Sequence, residues 1–183
     1  MFRKGGKCEE MRTEYMLQNE VERVLMLLMP ANRLVMRVVL HTGLRISDVL
    51  ALKTEQLAPR FWVKEAKTGK SKLVGLPAPL LEDIRQQAGP VWAFPGQSKG
   101  KHRTRQAVWA DIKRAARACR LPQNIGTHSG RKVYAVELMH KYGEIERVRR
   151  ALNHRYESVT MIYAMADHLL TQKFKRRGGR RGA

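Results

Sequence analysis

Apolar residues recur at helical spacing along most of the chain, and breaks in that spacing divide it into elements. Glu20–Leu28, with Asn19 as its cap and Pro30 as its stop, reads as a first helix. Asn32 to Thr42 is mostly apolar (Leu34, Val35, Val38, Val39, Leu40) and reads as a second, ended by Gly43. Ser47 caps or begins a short helix through Leu52. The texture changes at Pro59. Phe61–Ala66 and Lys72–Leu76 read as two strands, and Lys67–Lys70 between them is turn chemistry, giving a β-hairpin. Pro79 sits in the first turn of a helix to Gln87, and Val91–Phe94 reads as a small strand. Thr104 or Arg103 opens a helix to Cys119, with Val108, Ile112, Ala115 and Ala116 at helical spacing. Thr127 caps a helix to Tyr142, which Gly143 ends. Glu144–Leu152 and Ser158–Met165 are two further helices joined by an Asn153–His154 turn. The pattern has no internal repeat and no interior linker. It predicts one domain, mainly α with a small β-hairpin insertion, over residues 14–170. A flexible N-terminus (1–13) precedes it and a basic tail (171–183) follows.

Charge narrows the class of partner. The 183 residues hold 36 Lys and Arg against 16 Asp and Glu, a net charge of +20, on a chain apolar enough (43%) to bury a core. Disorder over the whole chain and collagen-like repeats are thereby excluded. Six of the basic residues lie in 173–183, and taking those six from +20 leaves +14 on the rest. The body itself is basic, which points to a polyanion, most simply nucleic acid. Residues 99–120 carry eight Lys and Arg against one acid, Asp111. Lys99, Lys101, Arg103, Arg105 and Lys113, with Lys70 and Lys72 of the hairpin, are the expected phosphate contacts.

Cys8 and Cys119 are too few and too far apart for a disulfide scaffold and read as free thiols. Val24–Met29 and Met161–Ala166, the longest apolar runs, are too short to span a membrane, and the N-terminus has no secretory pattern. The expectation is a soluble, cytoplasmic, nucleoid-associated protein with no metal site and no cofactor.

Two familiar motifs fail. Gly69-Lys70-Ser71 lacks the glycine spacing of a phosphate-binding loop and is followed by a strand. Gly126-Thr-His-Ser-Gly130 has histidine where a nucleophile elbow has serine. Four other segments carry phosphate chemistry. In GLRISDVLAL, Arg45 follows a helix stop and Asp48 lies three residues on, where a carboxylate can hold a guanidinium fixed for bidentate phosphate binding. Lys67 lies in the hairpin turn, where a lysine is either simply solvated or, beside a positively charged cleft, a proton donor to a leaving oxygen. His128 and Arg131 in THSGRK share a helix face near an N-terminus. The segment LNHRYESVTMIYA holds His154 and, nine residues later, Tyr163, a possible covalent nucleophile.

In this order, Arg45, Lys67, His128, Arg131, His154 and Tyr163 resemble the signature of the tyrosine recombinase (phage integrase) family, over roughly residues 14–170. The resemblance implies that family's catalytic-domain fold and DNA strand cleavage and rejoining without metal or nucleotide. Tyr163 would form a 3′-phosphotyrosyl link, with Arg45 and Arg131 clamping the phosphate and Lys67 protonating the departing 5′-oxygen. His128 would act as base, His154 would donate a hydrogen bond, and Asp48 would orient an arginine. It implies double-stranded DNA as partner, four protomers on two DNA sites and accessory DNA-bending proteins. Members usually carry an N-terminal core-binding domain. Here residues 1–18 alone precede the first helix, so a catalytic domain by itself is expected. The HxxR segment has Ser129-Gly130 where a larger apolar residue is frequent, and Asn153 stands where glycine is common. The alternatives are an inactive relic that only binds DNA, a type IB topoisomerase-like enzyme that rejoins the same strand, and a structural nucleoid-like protein.

Overall fold

The computed structural model of the chain describes residues 16–153. Cys8, His154, the expected helix Ser158–Met165 with Tyr163, and the basic tail lie outside them. Seven α-helices, one short 3-10 helix (Thr54–Gln56) and one hairpin are the elements of the described part: α1 Gln18–Leu27, α2 Pro30–Thr42, α3 Ile46–Leu50, β1 Arg60–Lys64, β2 Ser71–Gly75, α4 Ala78–Gln87, α5 Arg105–Ala118, α6 Ser129–Tyr142 and α7 Ile145–Ala151. None of these helices is long and apolar enough to cross a membrane.

The mainly helical architecture with one hairpin is the one the sequence pattern predicts. α2 is the organising element. Its Val35, Met36, Val38 and Val39 are buried, and it packs against α1, α3, α4 and α6. Pro30, expected only to end the first helix, also opens the second, where its missing N–H costs nothing. Gly43 ends α2 in the left-handed conformation (φ 63°), and a Cβ there would lie 2.2 Å from the ring of Tyr134. Backbone conformation and close approach therefore both demand glycine. Gly130 lies where α6 meets α2, and a Cβ would fall 3.0 Å from Met36 and 3.2 Å from Val39. These two side chains fill the space that a larger residue at this position would need.

Three expectations about local structure are corrected. The cap of α1 is Leu17, not Asn19; it has no side-chain acceptor for the first helical N–H groups, but its own N–H donates to Glu20 Oε2 (2.8 Å), the reciprocal half of a capping box. His128, not Thr127, is the cap residue of α6, and the Gly126 N–H donates to Ser129 Oγ (3.1 Å). Val91–Phe94 is not a strand: Lys53 pairs with Trp92, and Pro95 with His102, as isolated bridges. Thr104 does cap α5, accepting from the Ala107 N–H at 3.1 Å.

β1 and β2 pair antiparallel, with Phe61 opposite Val74, Trp62 opposite Leu73 and Val63 opposite Lys72. Side chains alternate across a strand, and directly opposed residues share a face. Phe61, Val63 and Val74 point inward and are buried, which puts Lys72 on the same inner face, while Trp62 and Leu73 are exposed. Glu65, just past the end of β1, continues the inward series and is fully buried. A small second core of Ala135, Val148 and Leu152 joins α6 to α7.

Candidate active site

Arg45 is the cap residue of α3, and its carbonyl receives the N–H groups of Asp48 and Val49. Its guanidinium does not meet Asp48. Nη1 donates to Glu65 Oε2 at 2.6 Å, and the same oxygen accepts from Thr68 Oγ1 at 2.9 Å. Burial would raise the Glu65 pKa, but the hydrogen bonds from Thr68 and Arg45, together with the charges of Arg45 and Arg131, outweigh it. The carboxyl is held below its ordinary value. Glu65 is thus an ionised partner for Arg45 at neutral pH, a residue the sequence reading did not single out.

Asp48 takes a different place from the one expected. Its Oδ1 accepts the Ala66 N–H at 3.0 Å, which ties α3 to the start of the hairpin turn. Burial raises its pKa, and the nearby charge of Glu65 adds to that; the Ala66 bond and the two arginines only partly offset it. The expectation that Asp48 orients an arginine is corrected in favour of Glu65. The physical reason is reach across the hairpin: the fully buried Glu65 meets the guanidinium, while Asp48 turns to a backbone N–H.

Arg131, in the first turn of α6, is buried, and its guanidinium donates to the carbonyls of Gly43 and Leu152. Lys72 does the same one residue earlier on each segment, donating to Thr42 O and Ala151 O, each at 2.5 Å. Its ammonium lies 5.3 Å from the centre of the Tyr134 ring. Burial above all, then the charge of Arg131, with that of Arg45 adding, pulls the Lys72 pKa down to about 8 against an opposing pull from Glu65. Lys72 is thus not on the outer surface, where a general phosphate contact was expected: strand alternation turns it to the inner face of the hairpin.

His128 is half-buried. Burial first, then the charges of Arg105, Arg131, Arg45 and Lys132, holds its pKa below the ordinary histidine value. At neutral pH the imidazole is uncharged and can accept a proton. Four cations from three segments thus act on one histidine, and Arg45 and Arg131 also act on Asp48, Glu65 and Lys72. Such a convergence of fixed positive charge around a neutral base can hold an anion and take a proton from a group attacking it.

The other expected contacts separate into two sets. Lys67 and Lys70 are exposed in the hairpin turn, beyond Glu65, and the Gly69 N–H closes that turn on Glu65 O at 2.9 Å. Lys99 and Lys101 are exposed on the loop after Phe94, and Arg105 is exposed at the start of α5. The loop is held by Trp92, whose indole N–H donates to Gly100 O at 2.9 Å and whose ring meets His102 edge-on at 5.1 Å. Arg103 and Lys113 are only half exposed. Arg103 donates to Asn32 Oδ1 at 3.2 Å, and Lys113 donates to Asn124 Oδ1. Their side chains serve internal contacts, so the exposed basic surface is narrower than expected. Asp111, the one acid of that stretch, is buried and accepts from Met29 N, Asn32 Nδ2 and Arg114. The exposed face of 99–120 is therefore left to cations. Among the described residues no group of His, Cys, Asp and Glu is arranged to hold a metal ion. His154 and Tyr163 lie outside the described residues.

The chain is similar to known proteins. YoeC of Bacillus subtilis, described as a probable integrase/recombinase, is 29% identical over 139 residues, covering 73% of this chain and 76% of its own length. A tyrosine recombinase XerD from Bradyrhizobium diazoefficiens is 28% identical over 162 residues, 76% of this chain and 49% of its own. The chain spans about half the length of that relative and of the archaeal XerA from Pyrococcus furiosus (52%). Among solved structures, XerA recombinase superposes with a TM-score of 0.70 at 15% identity, over 87% of this chain and 63% of the other. A lambda integrase dimer bound to a core site superposes at 0.70 and 18%, over 84% and 48%. These likenesses extend the shared fold to proteins of little sequence identity. The model of the phage integrase family matches residues 14–169, a span that takes in every segment from α1 through Tyr163, and the chain belongs to that family, the family of the tyrosine recombinases.

Proposed function

We propose that this chain cleaves and rejoins DNA strands at specific sites through a covalent link to Tyr163. Arg45, held on the ionised Glu65, and Arg131 in the first turn of α6 carry the reading: two fixed guanidiniums suit an anion, and burial with nearby positive charge keeps His128 uncharged and able to take a proton. In the proposed step the Tyr163 oxygen attacks a backbone phosphorus. The bond from phosphorus to the 5′-oxygen breaks, leaving a 3′-phosphotyrosyl link and a 5′-hydroxyl. His128 takes the phenolic proton, and Lys67, exposed at the turn that Glu65 anchors, gives one to the departing 5′-oxygen. Arg45, held by Glu65, and Arg131 stabilise charge on the non-bridging oxygens as the transition state forms. His154 donates a hydrogen bond to the same phosphate. Attack by a 5′-hydroxyl of another strand reverses the step. The phosphodiester energy is kept in the link, so neither ATP nor a metal is called for. Double-stranded DNA is the substrate, reached through Lys70, Lys99, Lys101 and Arg105; self-assembly of four protomers on two sites and accessory DNA-bending proteins complete the proposal.

The test uses the full chain and a pool of nicked duplexes of random sequence, in which the cleaved end diffuses away and rejoining is blocked. A protein–DNA adduct that survives detergent supports the reading, and its absence at any protein concentration overturns it. A second assay on intact duplexes, in which rejoining is open, distinguishes recombination from same-strand rejoining by recovery of joined ends from two different duplexes.

A further inference from the structure

We propose that Lys72 is a positioning residue of the cleavage site: from the inner face of β2 it fixes the ends of α2 and α7, and with the first of them the placement of Arg45. This inference rests on the strand-cleavage reading above.

The argument begins with the helix ends. The last carbonyls of a helix have no partner within it and carry the negative end of its dipole. Thr42 and Gly43 are the last residue and the cap of α2; Ala151 and Leu152 are the last residue and the cap of α7. Lys72 takes the first carbonyl of each pair and Arg131 the second. Two cations from different elements thus bridge the same two helix ends in adjacent registers. Arg45 follows Gly43 by two residues, so the paired bridges bear directly on the placement of that candidate clamp residue.

α7 depends on such ties. It rests on α6 through the small cluster of Ala135, Val148 and Leu152, with few apolar contacts to fix its angle. Lys72 is itself well placed: strand register opposes it to Val63, and its ammonium faces the Tyr134 ring, which in turn covers Gly43. The charged groups acting on it are Arg131 and Arg45, which oppose its charge, and Glu65, which supports it. Its Nζ is directed at two carbonyls, which suits it to hold the backbone rather than to transfer a proton.

The experiment compares Lys72→Met and Lys72→Arg with the wild-type full chain, following the first-order rate of adduct formation on the nicked duplex pool at saturating protein. A second pool carries sulfur in place of the leaving 5′-oxygen, a leaving group that needs no proton. With Lys72→Met the rate at saturation is expected to fall ~10²-fold, the scale of a small misplacement of reacting groups. The protein concentration for half-saturation should stay within about threefold, since DNA contacts are untouched. Sulfur should not rescue the variant. Lys72→Arg, which keeps donors for both carbonyls, should cleave within about fivefold of wild type. A Lys72→Met rate within threefold of wild type overturns the inference, as does rescue by sulfur, which would make Lys72 the proton donor. If Lys72→Met does not fold, Lys72→Arg decides alone: near-normal cleavage supports positioning, and loss of cleavage overturns it. Absence of any adduct with the wild-type chain would instead be a failure of the strand-cleavage reading.

Discussion

Arg45 and Glu65 meet at 2.6 Å across the start of the hairpin, the arginine mostly enclosed and the carboxylate wholly so. The pair fixes one arm of the proposed phosphate clamp from beneath. Removing one member of such a pair leaves the other charge buried without its partner, at a cost of about 3–5 kcal/mol. Glu65→Ala is therefore expected to lower the unfolding free energy by that order in urea titrations. Glu65→Gln, which keeps the shape and the acceptor oxygen, should destabilise less but still slow cleavage by about tenfold, because a neutral amide holds a guanidinium less firmly. Equal cleavage rates for Glu65→Gln and wild type would show that Arg45 is held by other means.

Lys67 tests the proton-donor assignment separately from the clamp. Lys67→Ala is expected to slow cleavage of ordinary duplexes by ~10²-fold or more, within the range for loss of general acid catalysis. A duplex with sulfur at the leaving position should restore most of the rate. No restoration would move the proton-donor role to another residue.

Stability should carry a distinct alkaline signature of Lys72. Its folded pKa of about 8 lies below the ordinary lysine value of 10.5. In this window the unfolded chain binds the proton and the folded chain releases it, so stability rises with pH from about 8 to 10.5. Below pH 8 both states are protonated and the burial cost is present in full. The rise is bounded by about 3 kcal/mol, at 1.36 kcal/mol per unit. Glu65, with a lowered pKa, stays ionised through this range, and Tyr134, raised by burial, resists ionisation. The check is the difference in unfolding free energy between wild type and Lys72→Met as a function of pH. A flat difference would mean that Lys72 is not desolvated.

The hairpin shows both what the sequence made legible and what it hid. Its two strands, its turn and Gly43 as a helix stop could be read from alternation and turn chemistry. The same alternation, carried two residues further, places Glu65 inward with Phe61 and Val63 and places Lys72 inward with Val74. A carboxylate and an ammonium on a buried face need partners, so both signals were present. The partners were not legible: Arg45 is 20 residues from Glu65, and the Thr42 and Ala151 carbonyls are 30 and 79 residues from Lys72. Asp48 was matched to Arg45 by nearness in sequence, and the residues after β1 changed the partners: the Ala66 N–H donates to Asp48, and Glu65 accepts from Arg45. The expected strand at Val91–Phe94 failed because its apolar run is pinned by single bridges and by Trp92 rather than by a ladder.

DNA affinity should follow the exposed cations. If six or more phosphates are contacted, affinity is expected to fall ~10³-fold or more between about 50 and 200 mM salt. Lys99→Gln with Lys101→Gln should reduce the slope of log affinity against log salt by about 2, near 0.9 for each lost contact. Arg103→Gln should leave that slope nearly unchanged and instead weaken the link to Asn32. A slope near zero for the wild-type chain would contradict phosphate-led binding.

The central claim is that DNA becomes covalently joined to Tyr163. The most direct measurement is mass spectrometry of the adduct formed on the nicked duplex pool, after nuclease and protease digestion, run beside Tyr163→Phe. The account expects a nucleotide on the peptide that contains Tyr163 and no adduct with Tyr163→Phe, whose DNA binding should be nearly unchanged because only a hydroxyl is lost. A nucleotide on any other side chain, or an adduct that persists in Tyr163→Phe, would contradict it.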